Sequence, residues 1–407
     1  MPAERVETLV IGGGQAGLAM SHHLKQRALP HLVLERGRIG ERWRSERWDG
    51  LKFQFPNWSV RLPDFPFPHE DPDGFADLGA IVDFIDAYAA FVAPPIRCGV
   101  NVTGLSRDDP GGFVAETPNG AIAARNVVVA TGPYQRALLP DLLRDEPDLF
   151  QVHASRYTNP QQLPAGAVLV VGAGASGAQI AEELLRAGRL VFLSIGQHTR
   201  LPRRYRGHDL IWWFEQLGLF DKRPWERGPV RVYPAITGAY GGHTIDFRRF
   251  AEEGITLVGR VVAARGRVLE IGPGLGKSLA EADLYYVTFL EMADEYARNR
   301  GLDLPEDPAA HARLLDPPEV FYPTRRLDLR AEGINTIIWA TGYGVDFGWI
   351  DIPVFDRHGA PVQRGGVTAV SGLYFLGLQW MSRMASSFMS GVGDDAAFLA
   401  DHIAARG

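Results

Sequence analysis

Two glycine-rich segments with the spacing Gly-x-Gly-x-x-Gly constrain this chain most strongly. The first runs from Gly12 to Gly17 and the second from Gly172 to Gly177, so they start 160 positions apart. Each follows a short apolar run typical of a buried strand and leads into a stretch with helical character. In this context the first glycine allows a tight turn, the second lets the backbone approach a pyrophosphate, and the third lets the helix pack on the strand. Two such segments predict two dinucleotide sites, whereas a single one would also fit an ordinary turn.

Amino-acid composition limits the chain to a few classes of protein. It is 46% hydrophobic and 22% charged with a net charge of −6, which favours a globular fold and gives no general attraction to nucleic acid. No apolar run approaches the ~20 residues that span a bilayer, and the opening residues lead straight into a predicted strand. We therefore expect a cytoplasmic protein without membrane association. The histidines are not spaced as metal ligands, so no metal site is predicted.

The residue at the end of the second predicted strand indicates which dinucleotide the first site binds. That residue is Glu35, 23 positions after Gly12. An acid there accepts hydrogen bonds from an adenosine ribose and repels a 2′-phosphate, so this site suits FAD or NAD and not NADP. A surface glutamate unrelated to binding is the alternative. The residues assigned to this site, taken as the FAD site, are Gly12, Gly14, Gln15, Ala16, Gly17, Glu35 and Arg36.

The second site carries the opposite charge pattern. Ser194 stands where the ribose acid would be, and a basic cluster follows between His198 and Arg206. Loss of the acid together with nearby arginine is how a protein accommodates the 2′-phosphate of NADP, although a solvated basic loop would have the same sequence. We therefore predict FAD at the first site and NADPH at the second. The residues assigned to NADPH are Gly172, Gly174, Ser176, Gly177, Ser194 and Arg200.

These sites predict an α/β fold with two Rossmann-like dinucleotide-binding domains, each built on a central parallel sheet. At 407 residues the chain is too long for one core. We expect an FAD-binding domain formed by residues 1–160 and 330–407, and an inserted NADPH-binding domain over residues 161–329. The part of that domain from about 200 to 330 is rich in tryptophan and carries no catalytic motif. We expect it to be an insertion that serves as a substrate lid or an oligomer contact.

The chain contains one cysteine, Cys98, and this count excludes one type of flavoprotein mechanism. Flavoproteins that pass hydride through a Cys-x-x-Cys pair need two neighbouring thiols, which this chain does not have. Cys98 lies in a segment typical of the start of a strand, and we expect it to be a core residue.

Four features, which together span nearly the whole chain, resemble the flavin-containing monooxygenases in their short bacterial form without membrane anchors. The pair of glycine segments is the first. The second is the Gly-Glu-Arg-Trp segment at 40–43, which is similar to the family's Gly-Gly-x-Trp although Glu41 replaces a glycine. The third is Ala-Thr-Gly-Tyr at 340–343, which repeats the Ala-Thr-Gly at 130–132 after an apolar strand.

The fourth feature is the segment that precedes the second glycine run. His153 and Tyr157 match the end of the family's Phe-x-Gly-x-x-x-His-x-x-x-(Tyr or Trp), whereas Pro147 and Leu149 depart from its beginning. A tyrosine at this place favours oxygenation at nitrogen or sulfur, because the Baeyer–Villiger enzymes of the family usually carry tryptophan there.

The resemblance implies a reaction with FAD, NADPH and O2. In this family NADPH reduces FAD by hydride transfer, O2 adds at C4a of the reduced ring, and the resulting (hydro)peroxyflavin oxygenates a small apolar substrate. Oxygenation at nitrogen or sulfur is favoured here over the Baeyer–Villiger oxidation of a ketone. The protein itself supplies a dry pocket and a hydrogen-bond network, so no catalytic dyad or triad is expected.

The resemblance also implies roles for residues outside the glycine segments. Arg42 and Trp43 would cover the approach to the flavin, and Tyr157 and Thr341 would line the NADPH channel. Asn57 is predicted to place a catalytic amide beside the flavin, with a turn asparagine as the alternative. The remaining cofactor-binding residues, predicted from the two Ala-Thr-Gly segments, are Ala130, Thr131, Gly132 and Gly342.

Two other functions are compatible with the same sequence. One is an NAD(P)H-dependent flavin oxidoreductase or oxidase that passes electrons to a quinone, ferredoxin or free oxygen without oxygenating a substrate. The other is a non-enzymatic flavin redox sensor, because likeness of fold does not fix function. The predicted partners are a small-molecule substrate and O2, with no nucleic acid and no membrane, and the resemblance leaves room for a homodimer.

Overall fold

The computed structural model describes residues 4–108, 111–227 and 234–406. The strands in this part of the chain are β1 (Glu4–Ile11), β2 (His31–Glu35), β3 (Arg61–Leu62), β4 (Phe65–Pro66), β5 (Ile96–Cys98), β6 (Gly104–Asp108), β7 (Gly112–Thr117), β8 (Gly120–Val129), β9 (Arg136–Ala137), β10 (Phe150–His153), β11 (Ala167–Val171), β12 (Val191–Ser194), β13 (Arg204–Tyr205), β14 (His208–Asp209), β15 (Thr256–Val258), β16 (Val261–Arg265), β17 (Val268–Ile271), β18 (Arg326–Asp328), β19 (Ile334–Trp339), β20 (Tyr343–Gly344), β21 (Gln363–Arg364), β22 (Val367–Thr368) and β23 (Leu373–Phe375).

Helices connect many of these strands. The α-helices of the described residues are α1 (Gln15–Gln26), α2 (Glu41–Ser45), α3 (Leu78–Val92), α4 (Ala175–Arg186), α5 (Leu210–Gln216), α6 (Phe247–Glu252), α7 (Leu275–Arg300), α8 (Pro318–Phe321) and α9 (Val392–Ala404). Single turns of 3₁₀ helix lie at Asn57–Ser59, Asp141–Leu143, Pro160–Gln162, Leu219–Asp221, Pro224–Glu226, Ala239–Gly241, Pro308–His311 and Met384–Ser387.

The larger sheet is built around five parallel strands in the order β23-β8-β1-β2-β5. β22 and β21 extend one edge, and the β6–β7 hairpin pairs with β8. Side chains of β1 alternate between two apolar clusters, with Val10 in the cluster that contains residues of α1, α3 and α9, and Leu9 and Ile11 in the cluster on the other face. A strand that is apolar on both faces is what a covered parallel sheet requires.

The second sheet is parallel throughout, in the order β10-β19-β11-β12-β15. β11 repeats the pattern of β1, because Val168 and Val170 lie in one apolar cluster and Leu169 and Val171 in another. α4 follows β11 as α1 follows β1. Two parallel sheets, each with a glycine turn between its central strand and the next helix, confirm the predicted α/β fold class.

The predicted domain boundaries at 160/161 and 329/330 do not fit these sheets. β10 and β19 are strands of the second sheet, although both lie in the part of the chain that we expected in the first domain. The reason is that Ile334–Trp339 is apolar on both faces and pairs with β11 on one side and β10 on the other. The second unit therefore extends from Phe150 to Trp339.

The segment from 200 to 330 is also not the single insertion that we expected. Its strand Thr256–Val258 pairs with β12 at the edge of the second sheet. Its other described elements include the β13–β14 hairpin, a small antiparallel sheet of β16, β17 and β18, and the long helix α7, which packs on α5. Trp213 is buried in that packing, whereas Trp225 is 76% exposed. The tryptophans therefore do not form one common surface.

The single cysteine of the chain is at the surface. Cys98 ends the edge strand β5 and is exposed, so the prediction of a core residue was wrong. No α-helix within residues 4–108, 111–227 and 234–406 combines the length and apolar character needed to cross a bilayer. Over the same residues, no three His, Cys, Asp or Glu side chains are grouped in a way that would hold a metal ion.

Candidate active site

The first glycine segment turns sharply between β1 and α1. Glycine fits its three spaced positions for different steric reasons. Gly12 has φ +117°, and a Cβ atom there would lie 2.5 Å from the carbonyl oxygen of Ala130. A Cβ on Gly17 would collide with the carbonyl oxygen of Gly12. A Cβ on Gly14 would meet no atom within 4 Å. Gly12 and Gly17 therefore pack the loop, whereas Gly14 leaves room for a ligand.

The second glycine segment has the same construction between β11 and α4. Gly172 has φ +111°, and a Cβ there would collide with the carbonyl oxygen of Ala340. A Cβ on Gly177 would collide with the carbonyl oxygen of Gly172, and one on Gly174 would again meet nothing within 4 Å. Ala130 and Ala340, which open the two Ala-Thr-Gly segments, thus each pack on the first glycine of a fingerprint.

The first turns of α1 and α4 are suited to anions. α1 begins directly after Gly14 and α4 directly after Gly174, and neither glycine supplies a side chain that caps the helix. The amide groups of each first turn therefore point toward the open space beside the glycine, where the helix dipole adds partial positive charge. This is the arrangement that binds a dinucleotide pyrophosphate.

Glu35 lies beside the first glycine segment, at the place that the sequence predicts for a ribose acid. Its Oε2 accepts a hydrogen bond from the amide of Gly13 at 2.6 Å, and its Oε1 accepts one from the amide of Gly37 at 2.8 Å. These bonds hold the carboxylate at the carboxyl end of β2. The neighbouring Arg36 is exposed, and Ala16 is buried in the core below the loop.

Ser194 is not placed to bind a 2′-phosphate, which corrects its assignment. The side chain is buried, with 3% of the residue exposed. Its Oγ donates to the carbonyl oxygen of Gly259 at 3.0 Å and accepts from the amide of Val261 at 3.2 Å. Because both hydrogen-bonding directions are used by the backbone that follows β15, Ser194 joins β12 to that connection and offers no group to a ligand.

Arg200 is likewise not available to a phosphate, and its assignment is corrected. It is 7% exposed, and its Nη1 lies 2.9 Å from Oδ2 of Asp246 and 2.8 Å from Oδ1 of Asp283. The guanidinium also lies 4.0 Å from the ring centre of Tyr286. Two carboxylates and an aromatic face therefore surround it, and its role is to join α6 and α7 to the segment after β12.

Two other arginines of the basic cluster, Arg203 and Arg206, show the same neutralisation, whereas Arg204 on β13 is exposed. Arg203 is buried against Asp209, with nitrogen–oxygen distances of 2.8 to 3.0 Å, and Arg206 pairs with Asp294 at 2.6 Å. The sequence pattern missed these partners because most are acids distant along the chain. Three of the four arginines in this basic run are therefore paired with carboxylates inside the protein.

Arg260 is the cation that lies beside the end of β12. It follows β15, the strand that pairs with β12, and its Cδ lies 3.9 Å from where a Cβ on Gly196 would stand. Arg260 is exposed, and its guanidinium has no carboxylate partner among the residues that the structure describes. The carboxyl ends of neighbouring parallel strands meet at one edge, so a residue 66 positions after Ser194 reaches the same region. Arg260 was not predicted from the sequence, because only the order of the strands in the sheet brings it close to Ser194.

A cavity of about 250 Å³ lies where the two glycine segments meet. Gln15 at the start of α1 lines one part of it, and Ala175 and Ser176 at the start of α4 line another. The remaining walls are mostly apolar, formed by Trp43, Trp48, Leu51, Phe53, Phe55, Val60, Tyr134, Leu210, Ile211, Phe214, Phe220, Pro234, Ile236, Tyr343, Met384, Phe388 and Met389. The first turns of both dinucleotide units thus open onto one shared space.

Three of the aromatic walls come from parts of the chain that sequence analysis did not connect. Phe55 follows α2, Phe220 belongs to the 200–330 segment, and Phe388 precedes α9, yet their ring centres are 5.3 to 6.0 Å apart. Edge-to-face and tilted packing at these distances makes a continuous apolar wall. No local motif signals these residues, since each becomes a wall residue only through the packing of the second unit on the first.

The predicted flavin-covering residues have different positions. The Nε1 of Trp43 donates to Oε1 of Gln15 at 3.3 Å, so this indole lies in the cavity beside the start of α1. Arg42 points away from it, pairing with Glu46 at 2.7 Å and donating to the carbonyl oxygen of Tyr134. Arg42 therefore ties α2 to the residues after the first Ala-Thr-Gly.

The two Ala-Thr-Gly segments are fixed by side chains near the crossing between the units. The Nε2 of Gln135 donates to Oγ1 of Thr131 at 2.9 Å and to the carbonyl oxygen of Gly132 at 2.8 Å. In the other segment, Thr341 donates to the carbonyl oxygen of Leu138, and the carbonyl oxygen of Gly342 accepts from His153. β9 and β20, which follow the two segments, pair with each other. The hydroxyls predicted to face cofactors are thus used within the protein.

His153 connects the family segment to the second Ala-Thr-Gly. Its Nε2 lies 3.1 Å from the carbonyl oxygen of Gly342, and its Nδ1 lies 3.1 Å from the amide of Ser155. Since an amide only donates and a carbonyl only accepts, this pattern assigns a neutral ring with the proton on Nε2. Burial lowers the pKa of His153, which favours the same neutral form. His153 is therefore a structural link at the crossing.

Tyr157 does not line a NADPH channel, which corrects its assignment. It is fully buried, and its hydroxyl donates to Oε2 of Glu183 in α4 at 2.7 Å. Burial raises the pKa of both the Tyr157 phenol and the Glu183 carboxyl. Tyr157 therefore holds α4 in place through Glu183, and its side chain does not line the cavity.

Asn57 was predicted as a catalytic amide, and its contacts place it in a turn instead. It begins the 3₁₀ turn Asn57–Ser59, and its Nδ2 donates to the carbonyl oxygen of Asp71 at 2.9 Å. Asn57 is not among the residues that line the cavity. The alternative role, a turn asparagine, therefore accounts for the contacts of this residue.

The comparisons with known proteins agree with this architecture. The family model described as pyridine nucleotide-disulphide oxidoreductase matches residues 9–207. Over 402 residues, the chain is 34% identical to an uncharacterized oxidoreductase, CzcO-like, of Geobacillus kaustophilus (strain HTA426), with 98% of each chain covered. It is 31% identical over 207 residues to a probable indole-3-pyruvate monooxygenase, YUCCA1, of Arabidopsis thaliana, which covers 49% of each chain.

A solved structure gives the same result at the level of the fold. The flavin-containing monooxygenase from Stenotrophomonas maltophilia superposes with a TM-score of 0.68 over 99% of both chains, at 17% identity. At this identity the likeness concerns the fold alone. The full-length similarity to the Geobacillus oxidoreductase, together with two dinucleotide units of this construction, establishes the relationship. The chain therefore belongs to the same oxidoreductase family as the CzcO-like protein and has the fold of the flavin-containing monooxygenases, a fold that binds FAD and NADP(H).

Proposed function

We propose that this protein is an FAD-dependent monooxygenase that uses NADPH and oxygenates a small apolar substrate at nitrogen or sulfur. In the balanced reaction, the substrate, NADPH, O2 and one proton give the oxygenated substrate, NADP⁺ and water. The observation that carries the proposal is the single aromatic cavity onto which the first turns of α1 and α4 both open. A largely apolar, concave space with a few polar groups is typical of a site where a small molecule reacts.

The residues around the first glycine segment fit FAD. The open face of Gly14 and the uncapped start of α1 suit its pyrophosphate, and the carboxylate of Glu35 suits the adenosine ribose. Gln15 and Trp43 line the adjoining cavity, where they would hold the ring system. Bound there, the flavin supplies hydride acceptance and the activation of O2.

The residues around the second glycine segment fit NADPH. The open face of Gly174 and the uncapped start of α4 suit a second pyrophosphate, and Ser176 lies in the cavity wall. With Ser194 and Arg200 used inside the protein, Arg260 is the cation positioned to pair with a 2′-phosphate. The preference for NADPH over NADH thus rests on Arg260.

The chain's own contribution to the reaction is to exclude water and to orient the substrate. The wall formed by Phe55, Phe220 and Phe388 covers the space beside both cofactor sites. Excluding water there would keep activated oxygen from being released as H2O2 before it reaches the substrate. Among the described residues that line the cavity there is no histidine and no carboxylate, which agrees with a reaction whose chemistry is carried by the cofactor.

The choice of nitrogen or sulfur as the target atom comes from the family resemblance. Tyr157, the residue that favoured nitrogen or sulfur over a ketone, lies below α4 and does not touch the cavity. The preference therefore rests on the resemblance alone, and ketone oxygenation is the weaker alternative. Cytoplasmic location and a homodimer likewise remain predictions from the sequence.

A coupled assay tests the proposal. Purified holoenzyme is supplied with NADPH and air, and NADPH loss, H2O2 and oxygenated product are measured with a methyl aryl sulfide, a tertiary amine and a cyclic ketone. We expect oxygenated product equal to at least half of the NADPH consumed with one of the first two compounds. NADPH oxidation that yields only H2O2, or that requires an added quinone, would support the oxidoreductase alternative. Flavin reduction without turnover under any condition would support the redox sensor.

A further inference from the structure

The charged side chains that line the cavity indicate which charge a substrate should carry. Arg47 and Lys52 line the cavity, and none of the described residues that line it is an aspartate or glutamate. Lys52 has a partner outside, since its Nζ lies 3.7 Å from Oδ2 of Asp77. The positive charge that remains without a carboxylate is that of Arg47.

Arg47 is held in the cavity wall by aromatic rings. Its guanidinium lies 5.1 Å from the ring centre of Trp43 and 6.0 Å from that of Tyr134. Its Nη1 donates to the carbonyl oxygen of Glu46 at 2.7 Å. Stacking on a ring fixes the plane of the guanidinium and leaves its other N–H groups directed outward from the stack.

The neighbouring arginines show that an unpaired guanidinium is unusual in this region. Arg42 pairs with Glu46 at 2.7 Å, and Arg44 pairs with Asp86. Arg47 lies on the same stretch of chain and has no carboxylate within 4.0 Å in the residues that the structure describes. A partly buried cation without a counter-ion is costly unless an anion binds there.

The phosphates of the two cofactors have other positions. The two uncapped helix starts, after Gly14 and after Gly174, face the spaces left open for the pyrophosphates, and Arg260 lies at the far end of the second site. Arg47 belongs instead to the aromatic part of the cavity, beside Trp43 and Tyr134. The anion that it would meet is therefore one carried by the substrate, which shares this space with the flavin ring.

We propose that Arg47 binds the carboxylate of an aromatic substrate, so that the enzyme oxygenates aryl carboxylates in preference to neutral or cationic aryl compounds. This inference rests on the proposed function. A carboxylate accepts two hydrogen bonds from a guanidinium fork, while the attached ring packs on the walls that include Phe55 and Phe220. A protonated amine would meet a like charge with no cavity carboxylate to offset it.

The test uses three probes that share a methylthio-substituted ring and carry a negative, a neutral or a positive group para to the sulfur. They are 4-(methylthio)benzoate, 4-(methylthio)benzamide and 4-(methylthio)benzylamine, the last protonated at pH 7. Sulfoxide formation gives kcat/KM for the holoenzyme, and quenching of tryptophan fluorescence gives the Kd of each probe. We expect the benzoate to exceed the benzamide by roughly ten- to hundredfold, the range for one charge-assisted hydrogen-bonded pair, and the benzylamine to be poorest.

Variants then assign the preference to one residue. Arg47→Gln should remove the advantage of the benzoate while leaving the Kd of NADP⁺ unchanged, and Arg47→Lys should keep part of it. Arg265→Gln is the matched control, because that arginine is 86% exposed on β16 and its carboxylate partner is Glu270. It removes the same charge far from the cavity and should change neither ratio.

Each result decides between the alternatives. Equal affinity for the three probes, tighter binding of the benzylamine, or no measurable binding of any probe would overturn the proposal. A larger effect of Arg47→Gln on NADP⁺ than on the benzoate would overturn it too, by assigning the arginine to the cofactor. Selective binding of the benzoate without sulfoxide formation would keep the anion site and reject sulfur oxygenation, so the two proposals fail separately.

Discussion

Substitution of the middle glycine in each glycine segment should remove cofactor binding without destabilising the fold. Gly14 has φ −84° and ψ −171°, and Gly174 has φ −75° and ψ −177°, extended conformations that any residue adopts. A Cβ at either position meets no atom within 4 Å. Alanine there therefore adds no strain. Reduced freedom of the unfolded chain favours the variant, whereas alanine is a poorer N-cap than glycine, so the free energy of unfolding of the apoprotein should change by less than about 1 kcal/mol.

The same methyl group occupies the space that a pyrophosphate needs. Gly14→Ala should therefore yield a folded, colourless protein, and Gly174→Ala should yield a yellow protein that NADPH no longer reduces efficiently. Gly17→Ala is the contrasting control, because its Cβ would collide with the carbonyl oxygen of Gly12. Overpacking of this kind costs about 1–3 kcal/mol or more, so this variant should lose stability as well as FAD.

The assay has two independent readouts. Flavin absorbance per protein gives FAD content, and a urea titration of deflavinated protein gives the free energy of unfolding without the contribution of bound ligand. A Gly14→Ala protein with stoichiometric FAD would refute the assignment of the first site. An apoprotein of Gly14→Ala that is less stable than the parent by more than about 2 kcal/mol would refute the open space beside Gly14, because only a steric clash costs that much. Loss of FAD in Gly174→Ala would reverse the order of the two cofactors.

Three further predictions follow from side-chain partners. Arg200→Ala should cost about 3 kcal/mol in urea unfolding, because it leaves Asp246 without its buried cation, whereas Asp283 keeps Arg248. An unchanged midpoint with a raised KM for NADPH would restore the phosphate role. Arg260→Gln should weaken the binding of adenosine 2′,5′-bisphosphate roughly tenfold and leave the binding of 5′-AMP unaffected, as measured by calorimetry. Equal losses of affinity for the two nucleotides would reject the 2′-phosphate contact. Burial lowers the pKa of His153, so its neutral form contributes stability that is complete above the unfolded pKa near ~6.5 and is lost as pH falls below it. Unfolding midpoints of wild type and His153→Asn should therefore converge between pH 8 and pH 5, and a constant difference would contradict this.

Sequence reasoning worked where a few consecutive residues set the geometry. Gly12 needs a positive φ, Gly17 needs contact with the loop carbonyl, and Glu35 needs only the end of the next strand. These requirements lie within one βαβ unit, so the spacing alone predicted both units and the fold class. The boundaries between the units were less accurate, because β10 and β19 read as apolar strands that would suit either sheet.

Sequence reasoning failed where a side chain's role depends on distant partners. Arg200 resembled a phosphate ligand until Asp246 and Asp283 were found on either side of it, 46 and 83 positions away. Tyr157 was assigned to a channel, but Glu183 in α4 takes its hydroxyl. An arginine with a buried carboxylate and one without it look identical in sequence.

The amino-acid sequence by itself therefore determined two dinucleotide-binding units, their order and the family, because strand–glycine–helix geometry is local. Only the tertiary structure decided which cations remain unpaired and which aromatic side chains enclose the cavity. Arg260 reaches the end of β12 through strand pairing, and Arg47 lies in a cavity whose walls come from both units. Such proximity arises when separate segments bury apolar surface against one another, and that packing depends on the whole chain at once.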